Sequence, residues 1–147
     1  MTVHRLQPSS YFLLQEYVTP SPREFWVEEV EDFITKAVPI RKGLAQDSVV
    51  EIVRNSVGEH IAVAAHLFNS ELNVEHIQAF VMHPSFRGLG ASTSAFLEIV
   101  EFLLEQPSEV SYVTWSVRHE NSPMLRMSQK VGEAFSNNDE FVGFVRP

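Results

Sequence analysis

The stretch from Phe80 to Ser94, FVMHPSFRGLGASTS, carries the residue types best suited to hold an anion. An apolar run meets Pro84, then Arg87, then Gly88 and Gly90, and a helical pattern follows at once. Glycine lets the main chain bend tightly and bring its N–H groups close to a ligand. The first turn of a helix adds N–H groups without intrahelical acceptors and the positive end of the helix dipole. A strand–loop–helix corner of this composition suits a phosphate or a pyrophosphate.

Two familiar phosphate sites do not fit. A dinucleotide fingerprint needs a third glycine, and Thr93 stands there; it also needs an acid near the end of the next strand, which 110–117 lacks. A P-loop needs Gly-Lys followed by Ser or Thr, which is absent. The chain has no cysteine, which excludes a thiolate nucleophile, disulfides and cysteine-ligated zinc. His60, His66, His83 and His119 show no metal-ligand spacing, so no metal site is expected. Two titratable residues precede the corner on its strand, Glu75 and His76. Strand alternation sends them to opposite faces and groups His76 with Gln78, Phe80 and Met82. An imidazole of unperturbed pKa ~6.5 suits proton transfer near neutral pH.

Several elements must position these residues. Val3–Leu6 reads as a short strand, Ser9–Val18 as a short helix and Thr19–Pro22 as a break. Arg23–Val38 reads as a helix rich in Glu and Asp. Ser48–Val53 and His60–Phe68 form a strand pair joined through Asn55–Gly58. Glu75–Met82 leads into the glycine corner. Ala91–Glu105 is a helix whose inward stripe is Ala95, Phe96, Ile99, Val100 and Leu103. Val110–Val117 is a strand. A further helix is capped by Ser122, has Pro123 in its first helical position and stops at Gly132. Phe141–Val145 is the last strand. The mixed order predicts an α/β or α+β fold, a sheet flanked by helices.

The 147 residues fit one domain over 1–147. The net charge of -8 argues against a nucleic-acid partner and favours a cationic one. No segment approaches the ~18 apolar residues of a membrane span, and Met1 is followed by no signal-like run. The expectation is a soluble, cytoplasmic protein.

Arg87-Gly-Leu-Gly90-Ala-Ser92 after Met82-His-Pro84, with a later Asn121-Ser-Pro-Met-Leu-Arg-Met-Ser-Gln-Lys-Val-Gly132, resembles the two signature motifs of the GNAT N-acyltransferase superfamily. The likeness covers residues 76–132. It implies a mixed sheet splayed at its centre and acetyl-CoA as acyl donor. It also implies that the main chain of Arg87, Gly88, Leu89, Gly90, Ala91 and Ser92 wraps the pyrophosphate. Phe80, Val81 and Met82 would bond the pantetheine arm, and Asn121 would touch the same ligand.

As general base the family often places a glutamate eleven residues before the arginine, where this chain has His76, with Glu75 beside it, so the resemblance implies one of these two as the base. It often places an acid tyrosine seven residues after the asparagine, where this chain has Ser128. A thiol of pKa ~8.5 leaves without much help, so this departure puts the acid in doubt more than the reaction. The implied function is acetyl transfer from acetyl-CoA to a primary amine of unknown identity. The alternative is a non-catalytic acyl-CoA-binding sensor or interaction module. A homodimer would cover an open sheet edge.

Overall fold

Alternating and continuous apolar runs build the sheet, and one helical stripe covers it. The computed structural model describes residues 1–17, 48–88, 90–105, 110–118, 122–137 and 140–145. The expected break at 19–22 and acidic helix at 23–38 lie outside them, as do Leu89 and Asn121. The strands are β1 (Thr2–Arg5), β2 (Ser48–Arg54), β3 (His60–Asn69), β4 (Val74–Met82), β5 (Tyr112–Arg118), β6 (Glu133–Asn137) and β7 (Glu140–Val145). The helices are α1 (Ser92–Leu104) and α2 (Ser122–Val131). All seven described strands join one sheet in the order β1-β2-β3-β4-β5-β7-β6. Every pairing is antiparallel except β4 with β5.

The sheet is covered on both faces. On one, Ala95, Phe96, Ile99, Val100 and Leu103 of α1 pack on Val53, Ala62, Ala64, Ile77, Met82, Val113, Trp115 and Val117. Five helix positions at i, i+1, i+4, i+5 and i+8 make a single stripe. Phe96, Ile99, Val100 and Leu103 each contribute about 1.5–3 kcal/mol when fully buried. On the other, Leu6, Leu14 and Tyr17 pack on Val50, Ile52, Val63, Ala65 and Val81. Covering both faces explains why Ile61 to His66 are all buried and why β3 lacks a polar alternation.

Three elements differ from expectation. The short helix expected over Ser9–Val18 is a 3-10 helix and runs over Pro8–Tyr17. Strand β6, short and largely polar, carries no pattern that marks it as a strand. Helix α2 includes Ser122 as its first residue, where the expectation had Ser122 as the cap before it.

β4 also departs from simple alternation. Ala65 pairs with Ala79, but the next residue, His66, pairs with Ile77. Gln78 is therefore an extra residue, a β-bulge that shifts the phase of the strand. Ile77 and Met82 are buried in the α1 core with Phe80 packed against it, whereas Val81 belongs to the opposite core. His76, facing away from Ile77, thus shares the side of Val81 and not that of Phe80 and Met82. The grouping expected from alternation is corrected by one residue.

Candidate active site

The sheet forks at its centre. β4 and β5 pair through Val74↔Tyr112, Glu75↔Val113, His76↔Thr114 and Ile77↔Trp115, and the ladder stops there. β4 continues to Met82, while β5 continues to Arg118 paired with β7. Among the described residues, no strand pairs with 78–82 on the side that faced β5. That edge presents extended backbone donors and acceptors, which can bond an extended amide-bearing chain as another strand would. Phe80 and Met82 turn into the α1 core and Val81 into the other, so these residues offer a ligand their main chain.

The glycine corner stands at the open end of the fork. A turn over Pro84–Phe86 is closed by Phe86 N–H donating to the His83 carbonyl at 2.9 Å. Arg87 Nε then donates to the Met82 carbonyl and Nη2 to the Tyr17 carbonyl, each at 3.1 Å. Burial draws its pKa below the ordinary guanidinium value. Arg87 thus braces the end of β4 against the N-terminal segment. Gly88 and Gly90 have φ of 75° and 77°, a region that L side chains rarely adopt. At either one an added Cβ would meet nothing within 4 Å, so both lie against open space. Helix α1 follows with no side-chain cap at Ala91 and no acidic residue in its first turn. The N–H groups of Ser92, Thr93 and Ser94 have no acceptor within the helix. Donors, dipole and space of this kind suit an anion.

At the closed end of the fork lies His76. Its Nδ1 is 2.8 Å from Thr114 Oγ1 on β5, one pair before the ladder ends. Glu75 points to the other face and is buried. It is bonded to His66 Nδ1, and His66 Nε2 donates to Glu51 Oε1 at 3.2 Å. Arg5 Nε donates to the same Glu51 oxygen at 2.6 Å. Burial disfavours the His66 cation, but hydrogen bonds to Glu51 and Glu75 and their charges overcome it and raise its pKa above 6.5. Glu51 Oε2 is buried with no hydrogen-bond partner among the described residues.

A family model for the acetyltransferase (GNAT) family matches residues 10–132. The chain belongs to the GNAT acetyltransferase family. It is an acetyltransferase. No curated protein sequence matches it. Solved structures share its fold. AAC(6')-Ib in complex with ribostamycin and coenzyme A is 16% identical, covers 97% of this chain and 90% of its own, and has a TM-score of 0.73. A putative GNAT acetyltransferase from Desulfovibrio desulfuricans is 12% identical over 99% of this chain and 98% of its own, at 0.72. Spermidine N-acetyltransferase from Vibrio cholerae, in complex with CoA and spermine, is 13% identical over 99% and 94%, at 0.68.

Against the GNAT pattern, Ser128 takes an unexpected position. It is fully buried, accepts from the Trp115 indole N–H at 2.7 Å and donates its own proton to the Met124 carbonyl at 2.8 Å. A hydroxyl so committed links α2 to β5.

The fold also gathers residues that spacing did not connect. Glu16, His60 and His83 bring ligand-type atoms within 4.8 Å of one another. Burial pushes the Tyr17 hydroxyl above its ordinary range, and it lies 2.9 Å from His60 Nδ1. His83 Nδ1 accepts from Ser85 N–H at 3.1 Å, so the neutral ring carries its proton on Nε2, the atom facing Glu16. That proton occupies the nitrogen a metal would need. The group acts as a clamp between the 3-10 helix and the glycine end of the sheet. Thr114 and Glu51 carry no signal in the sequence, and His66 reads there only as a histidine without metal-ligand spacing; the strand register brings each to its partner.

Proposed function

We propose that this GNAT enzyme moves the acetyl group of acetyl-CoA to a primary amine by direct attack, with His76 as the general base. The carrying observation is the fork itself: an anion-ready corner at its open end and an imidazole at its closed end. The main chain of Gly88, Gly90, Ala91 and Ser92 and the start of α1 would hold the pyrophosphate, together with Leu89 and Asn121. The exposed edge of Phe80, Val81 and Met82 would hold the pantetheine arm. Arg87 supports this loop through its two carbonyl contacts. His76 Nε2 takes a proton from the amine as the amine nitrogen bonds to the acyl carbon. The carbon–sulfur bond breaks and the thiolate departs, which a thiol pKa of ~8.5 permits without an acid partner. We assign the base to His76 over Glu75 because the Glu75 carboxylate is buried on the other face against His66. Ser128 has no part in proton transfer in this scheme.

Two observations support a cationic acceptor: the net charge of -8 and the amines spermidine and spermine in a neighbour's name and complex. Like-signed charge would repel, and an acidic protein attracts, an ammonium. The chain without cysteine suits a reducing compartment such as the cytoplasm. A homodimer closing an edge of the sheet, β1 or β6, completes the reading.

The test is to incubate the protein with acetyl-CoA and a broad panel of primary amines and follow free thiol. Amine-dependent release is expected. No release with any amine would overturn the proposal.

A further inference from the structure

We infer that Thr114 is a positioning residue that sets the tautomer of His76; the inference rests on the reading of His76 as base. The two side chains face each other across the parallel β4–β5 ladder, with Nδ1 and Oγ1 2.8 Å apart. Only Ile77↔Trp115 separates this pair from the fork. Both residues lie on strands inside a paired segment, where geometry is held more tightly than on a loop. Threonine is β-branched, so its hydroxyl has few χ1 positions available.

The chemistry follows from what each group can exchange. A neutral imidazole has one N–H and one lone pair. A base acting at Nε2 needs the lone pair there and the proton on Nδ1. The Thr114 oxygen accepts that Nδ1 proton. It goes on accepting it after Nε2 is protonated, so the contact persists through the reaction. A hydroxyl does this without adding charge.

The contrast with His66 is instructive. There the partners are two carboxylates, which favour the cation and raise the pKa. A cationic imidazole has no lone pair to offer. The chain thus sets one histidine between carboxylates that favour its cation and orients another through a neutral oxygen for proton transfer.

The experiment compares Thr114→Val, which keeps the shape and removes the acceptor, with Thr114→Ser, which keeps the hydroxyl. Thr114→Val should lower kcat by about tenfold to a hundredfold, the scale of a misoriented catalytic group. The KM for acetyl-CoA should stay unchanged, and Thr114→Ser should recover most of the rate. Nitrogen-15 NMR of histidine-labelled protein should show His76 protonated at Nδ1 in the parent and shifted toward the other tautomer in Thr114→Val. His76→Ala separates the two levels of the argument. If His76→Ala retains full kcat, the base assignment falls. If His76→Ala loses kcat while Thr114→Val keeps both the rate and the Nδ1–H tautomer, the inference about Thr114 falls alone. Adding Thr114→Val to His76→Ala should cost nothing further.

Discussion

The indole N–H of Trp115 donates to the hydroxyl of Ser128 at 2.7 Å, tying the strand beside the fork to helix α2. Trp115 is also the last β5 residue paired with β4. Its ring meets Phe96 of α1 edge-on, with centroids 4.9 Å apart. One side chain therefore joins β5 to both helices at the point where the sheet opens. We expect Ser128→Ala to destabilise the fold by about 1–3 kcal/mol, because a buried indole N–H loses its acceptor. The folded fraction should keep its turnover. Denaturant unfolding read beside thiol release checks both parts, and a lost kcat in fully folded protein would restore Ser128 as a proton donor.

Gly90→Val addresses the glycine corner. No neighbouring atom would touch the first added carbon. The cost without ligand is the left-handed backbone, about 1–2 kcal/mol. The side chain would instead occupy space assigned to the pyrophosphate. Calorimetry should show CoA affinity reduced at least tenfold while the variant stays folded at 25 °C. Unchanged affinity would place the phosphates elsewhere.

Arg87→Lys tests the brace. A lysine cannot span the Met82 and Tyr17 carbonyls as the guanidinium fork does. Two hydrogen bonds to a charged donor are lost or weakened, at about 1.5–3 kcal/mol each at most. Thermal melting should drop, and CoA should restore part of the loss by binding the folded state. A parent-like melting curve would show that the brace contributes nothing.

His66 and His60 should titrate on opposite sides of 6.5. His66 is raised: burial opposes its charge, but Glu51 and Glu75 prevail. Its stabilisation is full below 6.5 and is lost as pH rises through the higher folded value. His60 is lowered, by burial first, with Glu16 opposing and His83 and Arg54 adding to it. Its contribution is present above 6.5 and is lost as pH falls through the lower folded value. NMR titration of the ring protons should resolve the two midpoints. Midpoints in the reverse order would contradict the packing around both rings.

Much of this was legible before the fold was known, for physical reasons that differ by residue. The stripe from Ala95 to Leu103 has one solution, a helix with that side buried. Gly88 and Gly90 stand where a strand must turn sharply into a helix, and the structure gives both positive φ. The bulge at Gln78 left no trace, since no glycine or proline marks it. The partners of His66 and His76 depend on register between strands distant in sequence, which local pattern does not encode. Ser128 reads as a proton donor by position in a motif and as a buried link once Trp115 is placed beside it.

The extra residue at Gln78 has a consequence for how this strand can change. Upstream and downstream of it, odd and even positions exchange meaning. An insertion or deletion on either flank would turn the side chains of half of β4 to the opposite face of the sheet, whereas removal of Gln78 would convert a kinked ribbon into a regular one. Substitution can change the half that holds His76 and the half that holds Phe80 to Met82 separately. Length cannot vary in either without scrambling what it presents.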